Sequence, residues 1–547
     1  MRWWTITILS AVPLFGMQQP APDFVLTNGK IITVDERFTM AQAVAIKADR
    51  FIAVGSNQEI TRLAGPNTRR IDLRGRAVIP GLIDNHAHVM EEGAIWQIEL
   101  RLDGVESRKQ ALEMIRARAR VLAPGEWVFT LGGWSIDQFA DDSKPFSREE
   151  LDQAAPNNPV LLQFTRSHTY LNSKAIEAIG LEKMSDPWIA RDARGRPTGV
   201  IEAAGIAQVG RALPEPPKEI FEPGSMAMIN DLNRAGLTTI GGPCPREYVD
   251  TYRQWARAGR LNMRFFCFVS AVGLGTTPEQ VEKALPQIAQ LKVFQGDNWV
   301  DYHAYGESVY QPLHDNMLAP ATSPRPDQLA LWRRIATEVA KAGLPLHVHS
   351  TIEGTIDGFL DQIELINKEY PIRNLRWALA HIDQLNESHL ARMKNLGMYA
   401  AVHTRPTIMG KIFNRAHGER SLDMPPLKTI QDSGIQWGLG TDTFEVNQYR
   451  PFTTLWWAVT GKMVGGAKVL RQTISREDAL IAHTRKNAFL VFQENNLGSI
   501  QPGKLADLVV LDRDYLTIPA DQIKDIKPVM TIVGGRIAYD AESAVSR

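Results

Sequence analysis

The sequence predicts an α/β protein built on a (β/α)8-type TIM barrel, with a β-sandwich assembled from both ends of the chain and an insertion after the first barrel strand. Three observations support this prediction. Eight short apolar runs alternate with helical stretches, both termini are rich in strand patterns, and residues 89–222 do not fit the repeat. Alternating strands and helices favour a parallel sheet, and 547 residues leave room for a barrel with smaller domains around it.

Both ends of the chain show short strands joined by tight turns. Near the N-terminus, PDFVLTNGKIITVD alternates apolar residues around an Asn28-Gly29 turn, which is a hairpin signal. Near the C-terminus, GSIQPGKLADLVVLD and VMTIVGGRIAYD are strand-like, with Pro-Gly and Gly-Gly turns. We therefore expect residues 22–78 and 496–547 to form one sandwich.

The barrel prediction places the first strand within residues 79–88 and the other seven within residues 223–495. Helical stretches separate these strands, and one of them has a clear start, because Thr277 precedes Pro278 and Gln280 stands in the capping-box position. Residues 89–222 form the predicted insertion. The eight predicted strands are Ile79–Asp84, Leu237–Ile240, Met263–Val269, Trp299–Tyr305, Pro345–His349, Leu375–Ala380, Tyr399–Val402 and Ile435–Gly440.

The first 21 residues differ from the rest of the chain. Arg2 is followed by an apolar run, Trp3 to Met17, with the length of a signal-peptide h-region. The run is short for a membrane span, and no other segment reaches ~18 unbroken apolar residues, so we do not expect an integral membrane protein. The sequence predicts export to a periplasm or the exterior, with residues 1–21 as the signal peptide. The alternative is a cytoplasmic protein in which these residues are an irregular N-terminal tail and not a signal peptide.

Charge and cysteine content narrow the possible partners. The 61 Lys and Arg residues balance the 61 Asp and Glu residues, and the chain has no basic run, which argues against a nucleic-acid partner. The two cysteines, Cys244 and Cys267, do not make a disulfide framework, and neither has the spacing of a metal ligand. A small molecule is the expected partner, and a homodimer is compatible with the sequence.

Five polar residues follow predicted barrel strands. His86 and His88 come after the first strand, and a spacing of two places both on one side of an extended segment. His349 ends the fifth strand, His381 ends the sixth, and Asp442 follows the eighth. Because barrel enzymes build their active sites at the C-terminal ends of the strands, these side chains should meet at one rim. One such histidine is often structural, but the whole set predicts a metal site.

A two-metal site also needs a bridging group, and two residues near the fourth strand are candidates. Lys292 could serve after carbamylation, but it directly follows the predicted helix 278–291 and should lie at the bottom of the barrel. The strand that follows has seven residues, and at ~3.3 Å each they cover roughly 23 Å, more than a lysine side chain spans. Glu307 comes just after this strand, at the top. The sequence therefore predicts Glu307 as the bridge.

These residue types indicate hydrolytic chemistry. Neutral imidazoles and carboxylates suit Zn(II), and also Fe, Mn or Co, and we expect one or two divalent ions per chain, with zinc preferred. Metal binding lowers the pKa of water from 15.7 towards ~7, so that hydroxide is available at neutral pH. Asp442 would hold that hydroxide, accept its proton and pass the proton to the leaving group.

Three further residues near the predicted site are less specific. His347 lies two residues before His349 and would also face the barrel interior, as a packing residue rather than a ligand. His403 and Arg405 leave the seventh strand and could touch the substrate, although a structural role explains them equally well.

The motifs around these residues resemble the amidohydrolase superfamily, and within it amidohydrolase family 3. The resemblance rests on PGLIDNHAH, on the histidines of strands five and six, on GTD and GSIQPGKLADLVVLD, and on LGGWS, LDQAAPNNPVLLQFTRSHTYLNSKAIEAIG and GRPTGVIE in the insertion. It spans roughly residues 24–541. It implies a distorted barrel, a composite sandwich and metal-dependent hydrolysis, usually of a C–N bond other than a peptide bond.

The resemblance also implies roles for single residues. His86, His88, His349 and His381 match the family's metal ligands, and Asp442 matches its strand-eight acid. His168, in TRSHTYLNS of the insertion, matches a histidine expected near the substrate. The chain departs from the family pattern at two places. Many relatives have a bridging lysine in a K-[IV]-F-A-D-G context, whereas glutamate is the predicted bridge here, and many have H-A-I-G-D after strand five, where this chain reads HSTIE.

The leading prediction is thus a metal-dependent hydrolase of a non-peptide, amide-type C–N bond. A deaminase or a lactonase could use the same metals, since the fold does not choose the bond. A non-catalytic, metal-binding scaffold descended from the family is a third alternative. That alternative predicts lost ligands, and this chain has lost none of the expected histidines or the acid.

Overall fold

An eight-stranded parallel sheet, curled into a nearly closed barrel, forms the centre of the protein. The structure, a computed structural model, describes residues 21–271, 275–318 and 323–544, so that the predicted signal peptide lies outside the described residues except for Ala21. Barrel strands one to eight, in chain order, are Leu82–Asp84, Leu237–Pro243, Arg264–Val269, Val300–Glu307, Leu346–Ser350, Ala378–His381, Tyr399–His403 and Trp437–Gly440.

Helices surround the barrel, as the alternating sequence pattern predicts. In the helix Pro326–Lys341, the buried residues Trp332, Ile335 and Val339 recur at intervals of three and four, so one face packs on the sheet. None of the helices within the described ranges is long and apolar enough to cross a membrane. The helices before strand two and between the later strands are Phe221–Arg234, Arg246–Arg257, Pro278–Ile288, Pro326–Lys341, Glu353–Glu369, Glu387–Leu396, Pro406–His417 and Leu427–Asp432, and those after strand eight are Pro451–Thr460, Arg476–Ala482 and Arg485–Leu490.

The predicted helix start at Thr277 is confirmed. The Thr277 side chain accepts from the backbone of Gln280, and the Gln280 side chain completes the capping box. The predicted end at residue 291 is wrong, because the helix ends at Ile288. Residues 289–299 therefore form a longer connection to strand four than expected.

Strands eight and one close the barrel through side chains and a loop rather than through a strand ladder. These strands are the two outer members of the sheet. Asn487 spans the gap, since its Nδ2 donates to the carbonyls of Ile83 at 2.5 Å and Leu439 at 2.6 Å. Beyond the strand ends, the backbone N–H of Asp442 donates to the carbonyl of His86 at 2.9 Å. This closure distorts the barrel and sets two predicted site residues side by side.

Both ends of the chain build the composite β-sandwich, as predicted. One sheet has four strands from the N-terminal part, and the short helix Asn57–Leu63 packs on it. The other has six strands, three from each end of the chain. In spatial order, the first sheet contains Arg50–Gly55, Ala43–Lys47, Phe24–Thr27 and Arg69–Asp72, and the second contains Arg536–Asp540, Pro528–Val533, Leu508–Leu511, Ala77–Pro80, Lys30–Ile32 and Met40–Ala41.

The predicted first barrel strand, Ile79–Asp84, is wrong in one respect, because Gly81 divides it. Ile79 pairs with Val509 in the sandwich, whereas Leu82 pairs with Leu237 in the barrel. A Cβ atom on Gly81 would lie 2.3 Å from the Thr238 hydroxyl, so the chain crosses between the sheets where only glycine fits. The apolar run continues across the break because both sheets bury it.

The insertion has its own five-stranded sheet and packs on the helix that follows strand seven. Phe164 and Trp134 of the insertion share a buried cluster with Ile408 and Phe413 of that helix. The insertion thus lies over the C-terminal side of the barrel. Its strands in spatial order are Ile189–Arg191, Pro197–Glu202, His168–Leu171, Val160–Phe164 and Val128–Thr130, and its helices are Arg108–Val121, Arg148–Ala154, Ser173–Ile179 and Ile206–Gly210.

Cys244 and Cys267 form a disulfide, a cross-link that the sequence pattern did not predict. Cys267 lies in strand three and is paired in register with Gly242 of strand two, two residues before Cys244. The parallel strands therefore bring the two cysteines together across a separation of 23 residues.

Candidate metal centre

All six side chains predicted as metal ligands meet at the C-terminal mouth of the barrel. His86 and His88 follow strand one, and Glu307 is the last residue of strand four rather than a residue just beyond it. His349 lies in strand five, His381 ends strand six, and Asp442 lies two residues beyond strand eight. The strands themselves therefore position Glu307, His349 and His381, and the segments that follow strands one and eight position His86, His88 and Asp442.

Glu307 occupies the centre of this group. Its Oε2 atom lies 3.2 Å from His86 Nε2, 3.2 Å from His381 Nε2 and 3.5 Å from His349 Nδ1. Its Oε1 atom lies 3.3 Å from His88 Nε2. One carboxylate thus touches the histidines of strand one on one side and those of strands five and six on the other.

Asp442 lies on the other side of the strand-one histidines. Its Oδ1 atom is 3.5 Å from His88 Nε2 and 3.7 Å from His86 Nε2. Its Oδ2 atom is 3.5 Å from His381 Nδ1 and 3.6 Å from Arg405 Nη1. Asp442 is therefore a neighbour of both histidine pairs and of one fixed positive charge.

The donor atoms fit a divalent metal. Among the described residues, three groups have ligand atoms within 4.8 Å of one another: His86, His88 and Glu307; Glu307, His349 and His381; and His86, His381, His403 and Asp442. His86 Nε2 and His349 Nδ1 are buried and make no hydrogen bond. Buried nitrogen lone pairs without a donor, facing a carboxylate, are what a cation would satisfy. Glu307 is common to the first two groups.

The charges in the cluster depend on each other. Burial alone would favour a neutral carboxyl, but His86, His349 and His381 outweigh it and hold the pKa of Glu307 well below its usual range. Burial likewise disfavours protonation of His88, yet Asp442 and Glu307 raise the pKa of His88 well above its usual value. The two buried carboxylates thus require positive charge beside them, which protons or metal ions can provide.

Lys292, the alternative bridge, lies elsewhere. It is exposed, on the segment between the helix Pro278–Ile288 and the start of strand four, whereas Glu307 is at the end of that strand. The structure thus places Glu307, and not Lys292, among the histidines. That Glu307 bridges two ions stays a prediction.

Asp315 is a site residue that sequence reasoning missed. Its Oδ1 lies 3.0 Å from His349 Nε2, and its carboxylate also accepts from the backbone N–H groups of Thr351 and Ile352. Asp315 therefore orients the His349 ring so that Nδ1 faces Glu307. Asp315 follows a short 3-10 turn in an irregular segment between strand four and the next helix, where hydrophobic periodicity offers no signal.

The two residues predicted to bind substrate, His168 and His403, do not line the cavity described below. His403 is fully buried, and its Nδ1 lies 2.6 Å from His381 Nδ1. His168 lies on an insertion strand, 3.1 Å from a Glu202 carboxylate oxygen. Arg166, two residues earlier, does line the cavity. Substrate contacts by His168 and His403 stay predictions.

A cavity of about 450 Å³ opens onto the cluster and would admit a small molecule. Its walls come from the loops after strands one, four and eight, from the helix after strand seven and from the insertion. Arg405, predicted as a residue leaving strand seven, lines it and is paired with the buried Asp383. Besides Glu307 and Asp442 of the cluster, the other charged residues of the wall are Glu91, Glu92, Arg166, Asp315 and Glu445, and the apolar ones are Met317, Leu318, Met409 and Val446.

A (β/α)8 barrel with imidazole and carboxylate donors gathered at its C-terminal mouth has the architecture of the metal-dependent hydrolases. The chain belongs to the amidohydrolase family, whose sequence model matches residues 69–539. This confirms the superfamily predicted from the motifs.

Relatives match over nearly the whole chain. The N-substituted formamide deformylase of Arthrobacter pascens is 26% identical over 95% of this chain and 98% of its own length. The protein LONG AFTER FAR-RED 3 of Arabidopsis thaliana is 25% identical over 98% of this chain and 94% of its own length. The crystal structure of an uncharacterized metal-dependent hydrolase from Pyrococcus furiosus superimposes with a TM-score of 0.62 over 90% of this chain and 100% of that chain, at 22% identity. This last likeness confirms the fold.

Proposed function

We propose that this protein is a metal-dependent hydrolase that cleaves a non-peptide, amide-type C–N bond of a small molecule. The observation that carries the proposal is the arrangement of two histidine groups around Glu307, with Asp442 next to both. The deformylase of Arthrobacter pascens, which matches nearly end to end, is named for N-substituted formamides, and this favours an amide over other bonds.

The ligand set suits one or two zinc ions per chain. His86, His88 and Glu307 would hold one ion, with Asp442 beside them, and Glu307, His349 and His381 would hold the other. When bound, these ions supply a water acidic enough to act as a nucleophile at neutral pH and polarise the carbonyl of the substrate.

Asp442 would move the proton. Burial disfavours its charged form, but His88, Arg405 and His86 outweigh burial and lower the pKa of Asp442, so the carboxylate is ionised. It accepts a proton from the water whose oxygen adds to the carbonyl carbon. It then returns that proton to the amide nitrogen as the C–N bond breaks, which releases an amine and a carboxylic acid.

The cavity wall favours a substrate with an apolar part. Met317 and Val446 lie on the loops after strands four and eight, and Met409 lies on the helix after strand seven. An apolar substituent on the amide would bury surface there while the amide itself faces Glu307 and Asp442.

The test is a hydrolysis screen on the full chain in three forms: as purified, stripped by a chelator, and reloaded with Zn(II) or Mn(II). The panel contains N-substituted formamides, other non-peptide amides, aminopurines and lactones. We expect amide hydrolysis that is lost on stripping and restored by metal. Full activity in a metal-free preparation contradicts the metal role. Turnover of only the aminopurines or only the lactones supports the deaminase or the lactonase, and metal binding without any turnover supports the scaffold.

We also propose that the protein is exported. The apolar run Trp3 to Met17 supports a signal peptide, and the Cys244–Cys267 disulfide supports an oxidising compartment, since disulfides persist mainly outside the cytosol.

A further inference from the structure

A second histidine lies directly behind His86, on the side away from Glu307. His347, in strand five, has its Nε2 atom 3.0 Å from His86 Nδ1. Its side chain is buried, and its ring stacks on Phe268 with 4.3 Å between centroids and 27° between planes. The sequence predicts a packing role for His347, but its Nε2 atom faces a predicted metal ligand.

We propose that His347 is a positioning residue that fixes His86 in the form able to bind metal. The inference rests on the proposed function, because it requires the metal site. A neutral imidazole has one N–H group and one nitrogen lone pair. His86 can coordinate through Nε2 only when its proton is on Nδ1, and His347 Nε2 provides the acceptor for that proton.

The opposite face of His86 agrees with this assignment. His86 Nε2 lies 3.2 Å from Glu307 Oε2 and makes no hydrogen bond, so its lone pair is free towards the place where the ligand atoms converge. With the proton on Nε2 instead, the N–H group would occupy that place. His347 therefore selects the tautomer that leaves the lone pair available.

The use of an imidazole as the acceptor has a physical reason. Metal-binding histidines commonly donate to a carboxylate or a backbone carbonyl. Here Glu307 and Asp442 already contribute two buried carboxylates next to His86. A neutral acceptor orients the ring without adding a third buried negative charge, whose desolvation would be costly.

The test compares three variants of the full chain. His347→Leu removes the acceptor, and His347→Gln keeps an acceptor oxygen of similar reach. His303→Leu is the matched control, because His303 is also buried in the barrel interior and its ring lies 5.2 Å from the same Phe268. The measurements are Zn(II) affinity by chelator competition, the visible spectrum of the Co(II)-loaded protein, and the thermal midpoint of the metal-free protein.

We expect His347→Leu to lower Zn(II) affinity by about 10–100-fold and to change the Co(II) spectrum. His347→Gln should recover most of that affinity, and His303→Leu should bind like the wild type. Wild-type affinity in His347→Leu, or an equal loss in His303→Leu, overturns the positioning role. If His347→Leu does not fold, His347→Met takes its place with the same expectations. A wild-type chain that binds no metal contradicts the proposed function itself. That outcome is therefore distinct from a failure of the positioning role of His347.

Discussion

Asp442 is held at both its backbone and its side chain. Its N–H group donates to the carbonyl of His86 at 2.9 Å, and its carboxylate lies beside His88 and Arg405. A substitution that conserves shape should therefore keep these neighbours in place while it removes the proton acceptor.

We predict that Asp442→Asn lowers turnover by about 10²–10⁴-fold, because that is the usual cost of losing a general base, and that the fold is kept. The measurements are kcat on an amide substrate and the thermal midpoint. Asp432→Asn, which removes only an exposed ion pair with Lys428, is the control and should leave kcat unchanged and the thermal midpoint nearly so. Near-normal kcat in Asp442→Asn would exclude the proton-transfer role.

Substitutions at the two candidate bridges, Glu307 and Lys292, should have opposite effects on the metal content of the protein. Glu307→Gln should lose at least one ion per chain, because an amide oxygen carries no charge to bridge two cations. Lys292→Met should keep the full metal content and show no dependence on bicarbonate, because Lys292 is an exposed residue. Elemental analysis of the metal content of both variants distinguishes the two candidate bridges. Loss of metal in Lys292→Met alone would refute Glu307 as the bridge.

The six predicted ligand positions could be found from sequence because each lies at or just after the end of a predicted strand, and in a barrel these ends meet at the same rim. The residues behind the ligands could not be found in this way. Asp315 reaches His349 from an irregular segment, and His347 reaches His86 from another strand. Contacts between such distant segments depend on side-chain packing, which has no periodic signature in sequence.

The barrel closure depends on side chains and a loop rather than on a strand ladder. Asn487 joins strands one and eight by donating to the carbonyls of Ile83 and Leu439. Both carbonyls lie where no strand ladder connects the two strands, so removal of the amide leaves them without that donor.

We predict that Asn487→Ala lowers the free energy of unfolding by about 1–3 kcal/mol for each buried group left unsatisfied. Asn395→Ala, at an exposed position of the helix Glu387–Leu396, should change it by less than about 0.5 kcal/mol. Urea unfolding of both variants measures the difference. Equal urea midpoints for Asn487→Ala and Asn395→Ala would mean that the barrel closure does not depend on Asn487.

Element types followed from the sequence more readily than element boundaries. The helix Pro278–Ile288 was predicted correctly at its start, because a capping box defines that start locally, and wrongly at its end. The division at Gly81 did not show in the pattern, because both sides of it are buried. A boundary between two sheets is set by tertiary pairing rather than by hydrophobicity.

At the scale of the whole molecule, the cavity brings together segments that are far apart in sequence. The loop after strand one, the insertion, and the loops after strands four and eight each contribute one wall. The presence of an insertion could be inferred from residues 89–222, which break the repeat. Its position over the barrel mouth depends on a cluster such as Phe164 with Phe413, which sequence alone does not reveal.

The Cys244–Cys267 disulfide makes the stability of the whole protein depend on whether its cellular compartment is oxidising. Cys244 and Cys267 close a loop across a separation of 23 residues, and restricting the unfolded chain in this way stabilises the folded state by about 3 kcal/mol. We predict that the reductant dithiothreitol lowers the urea midpoint of the wild type, and that a Cys244→Ala, Cys267→Ala double variant unfolds at the reduced midpoint with no further effect of reductant.

If export is correct, protein recovered from its native cell lacks the N-terminal apolar run and has no free thiol, both measurable by mass spectrometry with thiol alkylation. An unprocessed chain with two alkylated cysteines would place the protein in the cytosol instead, and the stability that the disulfide contributes would then be absent where the protein works.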